Sequence, residues 1–230
     1  MDAERKKSLM AYLRFAAAQP RGFMYRAKAA RANATTQTLT SKKEQLAALY
    51  AKYAKCIACP LAEQGRTQVV FGVGNPDSKL LFIGEGPGRD EDIKGEPFVG
   101  RAGQLLNQII EAMGLKREDI YISNVVKCRP PGNRTPLPIE RNTCKDLLLF
   151  KELAIIKPVI ICTLGSAATQ GLLGDEIRIS DVRGQFHDFQ GILVMPTYHP
   201  AYLLRNPAEK RTVWEDMKKI MTKLAELETT

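Results

Sequence analysis

The sequence predicts an α/β fold, a parallel sheet with helices on both faces. Three observations lead there. The chain has 230 residues, enough for one α/β domain with a sizeable core. Strand-like apolar runs alternate with helical segments along its body. Residue types that do chemistry gather just after the strand-like runs, where ligands sit in sheets of this kind.

The elements follow in order. Residues 2–18 carry Leu9, Met10, Leu13 and Phe15 at helical spacing. Residues 20–40, rich in Arg, Ala, Asn and Thr, show no apolar periodicity and read as a linker. Ser41, with Glu44 three residues later, is a capping-box pattern that starts a helix running to about Lys55. The runs "QVVFGVG" (68–74) and "KLLFIG" (79–84) predict strands. Residues 101–113 predict a helix with Leu105, Leu106, Ile109 and Ile110 on one face. "DIYISNVV" (119–126) is a strand, 139–156 a helix, and "PVIICTLG" (158–165) a buried strand entering a helix near Ser166. "QFHDFQGILVMP" reads as two strands around Gly191, and 207–226 as a closing helix.

Composition narrows the class. The net charge is +9, and it lies entirely in the first quarter: residues 1–55 hold 12 Lys/Arg against three Asp/Glu. A basic arm of this kind suits a polyanion, most simply nucleic acid, although a solvated basic segment has the same composition. No apolar run reaches the roughly 20 residues that span a bilayer. The N-terminus lacks the continuous apolar stretch of a secretory signal, so a cytoplasmic location is expected. In that reducing compartment the five cysteines are not expected to form a disulfide frame.

The loop after the 79–84 strand, "GEGPGRDEDIKGEPFVGRAGQLL", is dense in glycine. It is not a dinucleotide fingerprint, because Arg89 stands where the last glycine would be, and no helix is expected to start in "DEDIKGEPF". Its glycines allow backbone N–H groups to approach a ligand. Its acids Glu85, Asp90, Glu91 and Asp92 would repel a phosphate and suit a neutral ligand or a water. Phe98 in this loop, Asn124 after "DIYIS" and His199 after "GILVM" place a candidate site residue at three of four strand ends.

Cys56 and Cys59 form C-x2-C, and Cys128 and Cys144 follow from two later segments. Four thiolates so arranged can hold a [4Fe–4S] cluster or a structural zinc ion, and spacing leaves both open. Cys162 lies inside an apolar run and reads as a plain buried thiol.

The stretches "GEGPGRDED", "GEPFVGRAGQLL", "NVVKCRPPGNRTP" and "HPAYLLR", with four cysteines in order, resemble the family 4 uracil-DNA glycosylases, the iron–sulfur branch of that superfamily. The resemblance covers about residues 44–225, leaving 1–43 as a separate basic arm. It implies a uracil-DNA glycosylase-like three-layer α/β/α fold with a central parallel four-stranded sheet. The implied reaction is hydrolysis of the bond joining a flipped uracil to deoxyribose in DNA, leaving an abasic site.

The same resemblance implies roles for individual residues. Phe98 would stack on the base, and Asn124 would read its N3–H and O4 edge. Backbone N–H groups of Glu85 and Gly86 would approach O2, and His199 would donate to O2 as charge grows there. Asn133 would position the attacking water, with Glu85 an alternative as general base. Glu91 would line the C5 edge and exclude thymine's methyl group. Leu203 or its neighbour Leu204 would wedge into the gap left by the base. Arg205, with Arg129 and Arg134, would grip phosphates. Cys56, Cys59, Cys128 and Cys144 would hold a [4Fe–4S] cluster of structural purpose. The expected partner is uracil-containing DNA, met by a monomer. Arg89 departs from the family pattern, which often has an acid there. A relative that traps uracil sites covalently carries a basic, histidine-containing insertion absent from "PPGNRTPLPIERNTC". A DNA-binding module without catalysis would need neither Asn124 nor His199.

Overall fold

A computed structural model describes residues 41–228. The helix expected over 2–18 and the linker over 20–40 lie outside the described residues. The first described element is α1 (Lys42–Tyr53), capped by Ser41 as its sequence predicts: Glu44 N donates to Ser41 Oγ, and Ser41 N donates to the Glu44 carboxylate. The cap lies before residue 44, so the expected domain boundary falls inside this helix.

The sheet has six strands: β1 (Val73–Gly74), β2 (Leu80–Gly84), β3 (Tyr121–Asn124), β4 (Ile160–Leu164), β5 (His187–Phe189) and β6 (Ile192–Thr197). Their order is β1-β3-β2-β4-β6-β5. Pairing is parallel from β3 through β2 and β4 to β6, and antiparallel for β1 on β3 and β5 on β6. The sheet is therefore mixed and six-stranded, and the expected four-stranded parallel sheet is corrected by these short antiparallel edges. The strand expected over 68–74 shrinks to two residues. Its first half leaves the ladder: Val70 N donates to the Lys127 carbonyl at 2.7 Å, and Val69 and Val70 bury their side chains.

Helices form the outer layers. On one face, Leu81 and Ile83 of β2 pack with Leu46 and Leu49 of α1 and with Leu148, Leu149, Leu153 and Ile156. The last four come from a helical segment that was expected to run unbroken over 139–156. It is divided into α4 (Pro138–Cys144), a π-helical turn at Lys145–Leu149, and α5 (Phe150–Ile156). Leading out of β4 on this face is α6 (Ser166–Leu173), which buries Ala168 and Leu172. On the other face, Leu80 and Phe82 of β2 meet Leu105, Leu106 and Ile110, which belong to α3 (Arg101–Ala112).

Between β2 and α3 the glycine loop itself contains a short helix, α2 (Arg89–Lys94), where none was expected. Gly88 starts it: its N–H donates to Glu91 Oε2 at 3.1 Å and its carbonyl accepts from Asp92 N. Asp90, Glu91 and Asp92 place negative charge in the first turn, which favours a helix start. The remaining helices are α7 (Ile179–Val182), α8 (Pro200–Arg205) and α9 (Lys210–Glu228). Among the described residues no helix is long and apolar enough to cross a membrane.

Candidate active site

The four parallel strands end on one side of the sheet, at Gly84, Asn124, Leu164 and Thr197. A cavity of about 530 Å³ opens there. Glu85, Gly86, Glu91, Phe98, Asn124, Asn133, His199 and Arg205 all line it. Residues up to 120 apart in sequence thus meet because the strands that carry them are neighbours.

Phe98 is held in a left-handed backbone conformation (φ 55°), uncommon for an aromatic residue. Two glycines make room for it. A Cβ on Gly84 would stand 2.5 Å from both the Phe98 ring and Asn124 Oδ1, and one on Gly103 would stand 2.0 Å from the Phe98 carbonyl. Both are contacts that only glycine permits. The ring is 5.6 Å from that of His199, tilted by 31°.

Asn124, at the end of β3, is 2% exposed, and its side-chain carbonyl Oδ1 has no hydrogen-bond partner in the protein. A buried acceptor without a donor costs on the order of 1–3 kcal/mol. A cavity-lining orphan of this kind is complementary to an N–H brought by a ligand.

His199 caps α8. Its Nδ1 accepts from Ala201 N at 3.1 Å, so the neutral ring carries its proton on Nε2. Burial, then the charge of Arg205, pushes its pKa down to about 4, with Glu91 acting in the opposite sense. The cavity therefore receives an uncharged imidazole donor at neutral pH.

The two acids of the loop differ in use. Glu91 is committed to the backbone: its carboxylate accepts from Gly88 N, Val99 N and Gly100 N at 3.1, 2.9 and 2.9 Å, folding the loop around Phe98. Burial pushes the Glu85 carboxyl above its ordinary value, opposed by a hydrogen bond from Thr135 and the charge of Arg141. Asn133 has a left-handed backbone (φ 56°), and its Oδ1 accepts from Arg129 Nε at 2.8 Å. Arg134 is held by both oxygens of Glu140 at 2.7 and 2.8 Å.

Leu203 does not reach the cavity. It is fully buried with the core residues of α3 and α9, so it is unavailable to a DNA duplex. Leu204 is 38% exposed and is the leucine of this pair that can touch one. Arg101 and Tyr202 also line the cavity and were not singled out from sequence. Arg101 opens α3 directly after the loop motif, and Tyr202 lies three residues after His199 on α8. Helical spacing was the available signal for Tyr202.

Cys56, Cys59, Cys128 and Cys144 line one small pocket on the face of α1 and α4, and none is in a disulfide. Two N–H donors are aimed at its sulfurs: Arg66 Nη1 at Cys128 Sγ (2.7 Å) and Lys127 N at Cys144 Sγ (3.3 Å). Burial pushes the Cys59 and Cys128 thiols up, and that of Cys144 up to about 12. Among the described residues, no three His, Cys, Asp or Glu side chains converge as a single metal ion requires. Cys162 is fully buried in β4, as expected of a plain core thiol.

Comparison with known proteins agrees with this arrangement. Residues 71–218 match the profile of the uracil DNA glycosylase superfamily. The type-4 uracil-DNA glycosylase of Thermotoga maritima is 46% identical over 183 residues, covering 78% of this chain and 94% of that protein. Those of Archaeoglobus fulgidus (43% identical, 72% of this chain and 86% of that protein) and Saccharolobus solfataricus (43%, 74% and 82%) are similar too. Cavity, strand-end residues and sequence similarity agree: the chain belongs to the uracil-DNA glycosylase superfamily and, within it, to the type-4 uracil-DNA glycosylases.

Proposed function

We propose that the chain excises uracil from DNA by taking the flipped base into the strand-end cavity. The observation that carries this reading is the orphaned acceptor Asn124 Oδ1, buried beside the Phe98 ring. Uracil N3–H is a donor where cytosine N3 is an acceptor, so uracil satisfies this oxygen and cytosine leaves it unpaired. Phe98 supplies the stacking face. Free uracil should therefore inhibit the enzyme competitively while cytosine does not, and Asn124→Ala should abolish that inhibition. Equal inhibition by both bases would refute the reading.

The chemistry follows from the same walls. The C1′–N1 bond breaks, its electron pair leaves with uracil, and negative charge builds on O2. His199 donates Nε2–H to that oxygen, with backbone N–H groups of Glu85 and Gly86 beside it. Water adds to C1′ and gives up a proton. Glu85, whose proton affinity is raised, is the acceptor lining the cavity, and Asn133 offers the water its amide NH2. Glu91 shapes the loop from within, so its effect on thymine acts through loop geometry.

His199 sets the pH behaviour. The neutral donor persists down to about pH 4. The rate should thus show no limb from His199 between pH 8 and about 5. Stability follows the same group. The folded pKa lies below the unfolded value of about 6.5, so the unfolded chain takes up the proton first. The His199 contribution is whole above about pH 6.5 and is lost as pH falls toward 4. Thermal melts of wild type and His199→Gln across that window would measure it.

On the DNA side, Arg205 and Arg101, which line the cavity, would meet phosphates, and the exposed Leu204 would fill the vacated stack. Leu204→Ala should lower release from duplex more than from single strands and leave Tm unchanged. Leu203→Ala should instead cost about 2–5 kcal/mol of stability, because it removes core contacts. The basic residues of the N-terminal arm add nonspecific attraction. Deleting residues 1–40 should weaken DNA binding most at low salt and flatten the slope of log K against log salt. An unchanged slope would refute a DNA-binding arm.

The four cysteines suit a [4Fe–4S] cluster in donor type and number: four thiols line one pocket, and N–H donors point at two of the sulfurs. When bound, the cluster supplies a structural cross-link and takes no part in bond breaking. Its residues tie the end of α1 to the loop after Asn124 and to α4. A reducing cytoplasm is the compartment that leaves such thiols free for ligation.

A further inference from the structure

Lys127 follows the base-reading strand and is fully buried. An ammonium group is rarely found so deep unless every proton is used. Here three protons meet three acceptors. Nζ donates to Glu152 Oε2 at 2.6 Å, to the main-chain carbonyl of Asn124 at 2.8 Å, and to Ser123 Oγ. Glu152 is equally committed. Ser123 Oγ donates to its Oε2 at 2.7 Å, and Tyr50 OH donates to its Oε1 at 2.8 Å. Tyr50 OH is in turn bonded to Tyr121 OH. The network thus holds β3 at Tyr121, Ser123 and Asn124, the last of which lines the cavity. The main chain of Lys127 is fixed as well: its N–H donates to Cys144 Sγ and its carbonyl accepts from Val70 N.

A buried ion pair is a poor source of stability, since an apolar pair of similar volume often serves the fold as well. An apolar side chain at 127 would leave the Asn124 carbonyl without its donor. The consequence falls on the residue that reads the base.

We propose that Lys127 is a positioning residue for uracil recognition: by holding the main-chain carbonyl of Asn124 it sets the direction in which the Asn124 amide enters the cavity. This rests on Asn124 reading uracil. Lys127 also lies on the direct covalent path of four peptide bonds that joins Asn124, the base reader, to Cys128 of the cysteine pocket.

A double-mutant cycle in the full-length, cluster-loaded protein tests it. Lys127→Met is made alone and with Glu152→Gln, which leaves no buried charge and keeps an acceptor for Tyr50. Each is then combined with Asn124→Ala. Measured are kcat/KM for uracil release, the inhibition constant of free uracil, and Tm. With Asn124 present, both Lys127 variants should lose about tenfold or more in kcat/KM, and free uracil should bind more weakly. In the Asn124→Ala background the further loss should be less than about twofold, because the group being aimed is gone. The same loss in both backgrounds would mark Lys127 as a purely structural residue and overturn the inference, as would unchanged kcat/KM with Asn124 present. If Asn124→Ala alone released uracil normally, the site reading itself would fall and this inference with it.

Discussion

Asn124→Ala is expected to lower kcat/KM for uracil release by about 10²–10⁴-fold. The buried Oδ1 has no protein partner, so its energetic cost is recovered only when a ligand donor arrives. Removing the side chain leaves uracil N3–H and O4 without the partners it supplies. The loss should appear in kcat/KM with KM raised, because the same contact also binds free uracil. Selectivity should move too. With no fixed amide in place, the preference for uracil over cytosine has no remaining chemical basis at that edge. Single-turnover release from matched oligonucleotides bearing uracil or cytosine measures both effects.

His199→Ala should cost about 10²–10³ in kcat, the range for deleting one preorganised donor to a developing oxyanion. The donor is already oriented in the folded protein, because Ala201 N occupies Nδ1 and leaves the proton on Nε2. It is also uncharged, because burial and Arg205 disfavour the imidazolium. KM should change little, since the negative charge it stabilises forms only as the bond breaks. Loss of the Nδ1 cap at the start of α8 should lower Tm modestly as well. Comparing His199→Ala with His199→Gln in kcat separates the missing donor from the missing cap.

Much of this was legible in the sequence. The alternation of strand and helix survived folding because β2, β3 and β4 are buried along their whole length, so their apolar runs are unambiguous. Phe98, Asn124 and His199 line one cavity because the chain order of a parallel sheet brings their loops to one side. What sequence missed has local causes. The edge strands fall inside runs that read as strands, but at two and three residues they carry no signal of their antiparallel pairing. Helix α2 was hidden because its cap is a glycine backbone and a glutamate that also serves Val99 and Gly100. The choice between Leu203 and Leu204 depends on which side of a six-residue helix faces α3, and adjacent leucines carry no such information. Lys127 has no pattern of its own in the sequence, and its three acceptors come together only in three dimensions.

The most direct measurement is release of free base from single- and double-stranded oligonucleotides carrying one uracil, with thymine and cytosine at the same position as controls. The expected result is uracil released, an abasic site left behind, and both controls intact. If cluster-loaded protein bound these oligonucleotides but released no uracil, Asn124 and His199 would be serving another base or no reaction at all.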